Sequence, residues 1–402
     1  MFGTPPRPRR RASLLAASLL ALAVVSAACT TSDRPPNPAP TVSGWLHTDG
    51  RRILDAAGTP VRMVGVGIHG MEPGTGQPSS AGTGQCRGWI EPTPATYTNV
   101  RAWGFNTVRL AWSWANLEPD PPTTGADGVL KHSYNQAYLA ALQHIVASFG
   151  AQHVAVVLDM HQNKWTPAFL RSRSGKGAEC PGSGLPTWLY LRSGIHNATA
   201  AKSAFFADQD DVQQQLADAW KAVASRFADD PTVIGADMFN EPYPTRTGDP
   251  AALNLDRLYQ TLGSAIRSVD PRVLLIFEDT PDRGTGQFGV TKPPPFDDVV
   301  YSYHLYVPGW DPLGEQAAND YLKRAQAWNV PTWIGEFNAF GGANNVHGGR
   351  SNWQASTTSL MAFCTRNDIG WSLWAYAGAN SLVQPGGDEP KSELLSLVQQ
   401  GL

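Results

Sequence analysis

Val233-Ile234-Gly235-Ala236-Asp237-Met238-Phe239-Asn240-Glu241-Pro242 and, about 95 residues later, Pro331-Thr332-Trp333-Ile334-Gly335-Glu336-Phe337 are the stretches on which the reading of the fold turns. Each is a short apolar run that delivers a glutamate at its end. Such runs mark strands buried on both faces, as in a parallel sheet. A carboxylate held where a buried strand leaves a barrel is aimed rigidly at the face on which barrel enzymes bind substrate. Paired carboxylates are the usual equipment for cleaving glycosidic bonds. Either glutamate alone reads equally well as an ordinary loop acid, so the weight lies in what surrounds the two.

Working outward, short apolar runs alternate with longer segments of helical period. The strands are expected at Met63 to Ile68, Thr107 to Ala111, Val154 to Leu158, Val233 to Phe239, Val273 to Phe277, Val299 to Tyr303, Thr332 to Ile334 and Ile369 to Leu373. Asn135 to Phe149, Asp211 to Phe227, Ala251 to Val269, Gly314 to Trp328 and Ser351 to Asn367 carry apolar residues at three and four spacing. A last helix, about Ser392 to Gln400, follows Pro390. Eight β-α units predict an α/β fold, a (β/α)8 TIM barrel occupying residues 44–402. A doubly wound sheet is the rival, but its glycine-rich dinucleotide turn is missing, because Gly65 and Gly67 lie inside the first strand. Ahead of the barrel, Trp45 to His47 and Arg52 to Leu54 flank the turn signal Asp49-Gly50 and predict a small β-hairpin capping the barrel's bottom.

The first residues read as an address. Arg7, Arg9, Arg10 and Arg11 form a basic region, Leu14 to Val25 an apolar one, and Ser26-Ala27-Ala28 a small-residue cleavage site. Residues 1–28 are therefore expected to be a signal peptide and the protein to be exported, with Arg10-Arg11 a weak twin-arginine signal. Cys29 then stands where bacterial lipoproteins carry a lipidated cysteine, so attachment to the outer face of the cell membrane is an alternative to release. Against it, Ser26 occupies the position where such signals usually have leucine. Residues 29–43 are polar and Pro-rich, the composition of an extended tether. Cleavage removes four arginines and no acid, moving the formal charge from −3 to −7, which speaks against nucleic acid as a partner. In an oxidising compartment Cys86 and Cys180, both in Gly-rich loops, are the candidate disulfide, and Cys364 within a helical segment reads as a buried thiol.

The strand ends collect a coherent set. Arg109 lies in the second strand and needs a carboxylate partner if buried; it is either a structural ion pair or the group that holds Glu336 ionised. The third strand ends in His161, the sixth in His304 with Tyr306 two residues on, and the eighth runs into Trp374. Either histidine alone is read as readily as a satisfied core residue. In one ring beside two glutamates they are expected to bond sugar hydroxyls or tune the carboxylates, with Tyr306 donating to the nucleophile and Trp374 stacking under a sugar ring.

In strand order, Arg109, His161, Asn240-Glu241-Pro242, His304 with Tyr306, Glu336 in Ile-Gly-Glu-Phe, and Trp374 resemble glycoside hydrolase family 5, the cellulase-like retaining glycosidases, over about residues 44–400. The resemblance implies Glu241 as acid/base, Glu336 as nucleophile, Asn240 bonding the 2-hydroxyl of the reacting sugar, and no metal or cofactor. A monomer is expected. Trp89, Trp112, Trp114, Trp165, Trp188 and Trp310 follow strands and suggest an aromatic-lined cleft, about half of them being expected in the core instead. That makes an endo-β-1,4-glucanase the leading expectation. Val157 to Gln162 resembles instead the third strand of endoglycoceramidases, whose usual β-sandwich is not expected after the last helix here. β-Mannanase is a third possibility, and a non-catalytic glycan-binding protein, which intact Glu241 and Glu336 argue against, the remote one.

Overall fold

The computed structural model describes residues 1, 3, 38–42, 44–73, 88–162, 165–166, 184–243, 250–280, 288–306, 312–338, 353–378 and 381–402. Cys29, Cys86, Cys180 and Trp310, with all of the expected signal peptide but residues 1 and 3 and with the tether as far as residue 37, lie outside the described residues. Among the described residues no helix is long and apolar enough to cross a membrane.

The chain opens with a hairpin, β1 (His47–Asp49) and β2 (Arg52–Leu54). The barrel strands follow: β3 (Val64–Ile68) and β4 (Thr107–Trp112); then, after a small two-stranded excursion of β5 (Thr123–Thr124) and β6 (Leu130–Lys131), β7 (Ala155–Met160), β8 (Val233–Asp237), β9 (Leu274–Glu278), β10 (Val299–Leu305), β11 (Thr332–Phe337) and β12 (Gly370–Leu373). Each barrel strand pairs in parallel with the next, and β12 pairs with β3 to close the barrel. All eight expected strands are present. The ten α-helices of the described residues are α1 (Pro94–Ala102), α2 (Trp114–Leu117), α3 (Gln136–Gly150), α4 (Thr187–Leu191), α5 (Ala198–Phe206), α6 (Val212–Ala224), α7 (Leu255–Arg267), α8 (Pro312–Trp328), α9 (Trp353–Arg366) and α10 (Ser392–Val398). The sequence reading missed α1, whose apolar face is thin, although Thr93 capping and Pro94 at the first turn are its start signal. It also missed the short α2 and the pair α4 and α5.

The hairpin closes the bottom as expected. Leu46 and Ile53 pack with Val157, Ile234, Ile276, Val300 and Trp333 in a cluster separate from the main core. The Thr48 amide donates to Asp298 just before β10. The folded body starts earlier than expected, because residues 38–42 are docked rather than solvated: the Ala39 amide donates to Gly104 O at 2.9 Å, and Arg101 and Asn106 donate to the carbonyls of Ala39 and Pro40. Apolar helix faces lie against the strands, as in α7, where Leu255, Leu258, Tyr259, Leu262 and Ile266 are buried at three and four spacing. Cys364 is buried in α9, and burial pushes its thiol up to about 12.

Candidate active site

All eight barrel strands are parallel, so their last residues meet at one end of the barrel. At its centre the Arg109 guanidinium, fully buried on β4, donates from Nε to Asp237 Oδ2 at 2.8 Å and from Nη2 to Asn240 Oδ1 at 2.9 Å. Its Nη1 lies 2.6 Å from Glu336 Oε1 and 2.9 Å from Asp159 Oδ2. The expected partner, Glu336, is therefore one of three carboxylates served by a single cation. Burial works against the charge on Arg109, but Asp159, Asp237 and Glu336 outweigh it and hold the guanidinium well above its ordinary range.

Glu336 stands at the end of β11. Its second oxygen accepts from the Tyr306 hydroxyl at 2.6 Å. Glu241 follows β8 and takes a different set of neighbours. Its Oε1 lies 3.0 Å from His304 Nδ1, and its carboxylate accepts from the Tyr243 hydroxyl. Burial and the nearby carboxylates raise both phenols well above their ordinary value, so both stay protonated donors. One oxygen of Glu241, one of Glu336 and a ring nitrogen of His304 all lie within 4.8 Å of one another. That carboxylate spacing suits direct attack by one group. Inverting enzymes hold their carboxyls about 6.5–9.5 Å apart to admit a water between them.

The two histidines have opposite charge states. Burial pushes the His304 imidazole down to about 3, although Glu336 opposes it, so the ring is neutral. Burial also disfavours charge on His161, but Asp159, 2.7 Å from its Nδ1, outweighs burial and raises it to about 9. The His161 ring lies flat on Trp374, with centroids 4.8 Å apart and planes 3° apart, in the geometry of a cation on an indole face. These shifts predict a stability maximum near neutrality. His161, raised above its unfolded value, contributes stability that is fully present below pH 6.5 and is lost as pH rises to about 9, of order 3 kcal/mol. His304, depressed, contributes stability that is lost as pH falls from 6.5 towards 3. Urea unfolding from pH 4 to 10 reads both limbs, and a His161→Asn variant whose alkaline limb matched the wild type would remove the first assignment.

Gly67 on β3 makes room for Trp374. A Cβ at Gly67 would lie 2.4 Å from Trp374 Cε3. Because His161 backs the indole, the ring cannot simply yield. Gly67→Ala is expected to cost about 1–3 kcal/mol of stability and to lower kcat/KM about tenfold or more through a displaced indole; unchanged kinetics would show that Trp374 does not need this position.

The structure brings Arg109, His161, Asn240, Glu241, His304, Tyr306, Glu336 and Trp374 to one end of the barrel. It corrects the aromatic cleft. Trp112 and Trp114 are fully buried and Trp89 and Trp165 nearly so, while Trp188 is partly buried against the core. Trp165 packs among Phe205, Phe206 and Phe239, and Trp112 meets Trp220 edge to face. The reading also missed Asp159, Gln162, Asp237, Tyr243 and Glu278. Asp237 and Glu278 are the last residues of β8 and β9, the same signal that identified the others. Burial pushes Asp237 up to about 6 despite Arg109, and burial followed by the neighbouring Asp237 pushes Glu278 well above the carboxylate range.

Compared with known proteins, the chain is 24% identical to an endoglucanase of Paenibacillus polymyxa over 372 residues, 84% of this chain and 81% of that one. It is 25% identical to an endoglycoceramidase of Hydra vulgaris over 261 residues, 52% of this chain, and spans about half (46%) of that relative's length. A crystal structure of an endogalactoceramidase superposes with a TM-score of 0.67 at 25% identity, covering 83% of this chain and 75% of that one. The family model for cellulase (glycosyl hydrolase family 5) matches residues 54–380. The closed parallel barrel, its ring of carboxylates and that match together make this chain a member of glycosyl hydrolase family 5, an O-glycosyl hydrolase that retains anomeric configuration.

Proposed function

We propose that Glu336 is the nucleophile and Glu241 the acid/base of a β-glycoside hydrolase that releases a glycan from a lipid, in the manner of an endoglycoceramidase. The observation that supports the assignment is the different company of the two glutamates. Glu336 has both oxygens engaged, by Arg109 and by Tyr306, which favours a carboxylate aimed at the anomeric carbon. Glu241 is the more exposed, with neutral His304 and Tyr243 beside it, which suits a group that must hold and then return a proton. Glu336 attacks as Glu241 protonates the departing oxygen. The glycosyl-Glu336 ester is then hydrolysed by a water from which Glu241 takes the proton.

Two observations support the lipid-linked substrate. The loop tryptophans that favoured a polymer cleft are largely core, and the resemblance of Val157 to Gln162 to the third strand of endoglycoceramidases extends, in the Hydra vulgaris and endogalactoceramidase matches, over half of the chain or more. The endo-β-1,4-glucanase reading remains second, favoured by the extent of the Paenibacillus match. Incubation with cello-oligosaccharides, manno-oligosaccharides and a glycosphingolipid, with products identified by mass spectrometry, decides between them. Free glycan with intact ceramide supports the proposal; shortened cello-oligosaccharides alone overturn it in favour of the second reading. Export through residues 1–28 and anchoring at Cys29 belong to the same proposal, since an anchored enzyme meets membrane substrates directly. A Cys29→Ser variant is expected to leave the membrane fraction, and an unchanged distribution would refute the anchor.

A further inference from the structure

Glu241 has φ +49°, the left-handed region, in a residue that is not glycine. Such a backbone costs of order 1–3 kcal/mol and persists only where its surroundings hold it. On the carbonyl side the turn is held by Gln162 and by the Tyr243 amide, which donates to Glu241 O at 2.8 Å. On the amide side the Glu241 N–H donates to Glu278 Oε2 at 2.8 Å. Glu278 is 1% exposed, and its own backbone is fixed by Tyr259, whose hydroxyl donates to Glu278 O at 2.6 Å. Its other oxygen lies 3.4 Å from His304 Nδ1, the nitrogen that also faces Glu241 and Glu336.

We propose that Glu278 is the positioning residue of the acid/base: by accepting the Glu241 amide it fixes the left-handed turn that aims the Glu241 carboxyl at the leaving oxygen. The inference rests on the reading of Glu241 as acid/base. Burial, and then the neighbouring Asp237, push the Glu278 carboxyl well above the carboxylate range, which favours the neutral form of the acceptor beside the two reacting glutamates. Glutamine reproduces that acceptor at the same reach, methionine removes it at similar volume, and aspartate withdraws it by one methylene.

The test uses two substrates with the same glycone, lactosyl or cellobiosyl according to which the product assay shows to be cleaved. An octyl glycoside has a poor leaving group and needs a proton from Glu241; a 2,4-dinitrophenyl glycoside leaves without one. Glu278→Met and Glu278→Asp are each expected to lower kcat/KM about 100-fold on the octyl glycoside, the scale of a lost general acid, and less than about fivefold on the dinitrophenyl one. Glu278→Gln should stay within about threefold of wild type on both. A structural defect would depress both substrates together, and that result, or a Gln variant as impaired as Met, overturns the inference. Aspartate keeps the test open if the Met variant does not fold. Glu241→Ala serves as the control: if it shows the leaving-group split and the Glu278 variants do not, the inference alone fails, and if it shows no split, the acid/base assignment fails and takes the inference with it.

Discussion

Replacing Glu336 with alanine is expected to lower kcat by on the order of 10⁴-fold or more while leaving the fold in place. The carboxylate is buried at the end of β11 but is not a packing group, and Arg109 keeps Asp159, Asp237 and Asn240 when it is gone. The stability cost should be that of one charged hydrogen-bonded pair, about 1–3 kcal/mol, readable as a modest shift in thermal unfolding. Azide separates the roles of the two glutamates. In Glu336→Ala it can enter the vacated space and attack a dinitrophenyl β-glycoside directly, giving an α-glycosyl azide. In Glu241→Ala it attacks the glycosyl-Glu336 ester from the opposite face and gives the β-glycosyl azide. A β-azide from the Glu336 variant would exchange the assignments, and wild-type turnover in that variant would end the nucleophile reading altogether.

Arg109→Met is expected to have the largest effect on stability, a loss of about 3–5 kcal/mol. The guanidinium is fully buried and is the cation bonded to Asp159, Asp237 and Glu336. Methionine fills part of its volume but leaves Asp237 and Glu336 without that counter-charge, while Asp159 keeps only His161. Single domains are stable by only about 5–15 kcal/mol, so much of the margin would go. Part of the loss should be recovered at pH 5, where protonation of Asp237, already raised to about 6, relieves the repulsion. Urea midpoints of wild type and variant at pH 5 and pH 8 measure both effects. Equal midpoints at pH 8 would show that the carboxylates find their own compensation.

The strands were legible because each buried parallel strand needs a continuous apolar run, and the runs of four to seven residues from Val64 to Leu373 all formed. Asp237 and Glu278 carry the same strand-end signal as the other site residues and were passed over because they close otherwise apolar runs, where periodicity alone does not mark the start of a polar layer. The tryptophans misled in the other direction. Position after an expected strand does not say whether a side chain turns to solvent or back against the barrel: Trp112 is the last residue of β4 and Trp114 the first of α2. For Trp112, Trp114 and Trp165 the area gained by burial set the direction.

The sequence by itself determined the eight-strand order, the hairpin beneath it and the two glutamates, one just after β8 and one at the end of β11, because hydrophobic period and strand-end position are local properties of the chain. The tertiary structure decided how those ends act together. It made Arg109 common to three carboxylates, left His304 neutral and His161 charged, laid His161 on Trp374, and set Glu278 under a left-handed Glu241. Most of these relations join residues separated by dozens to hundreds of positions. Their charge states depend on burial and on neighbours within a few ångströms, and barrel closure is what supplies both.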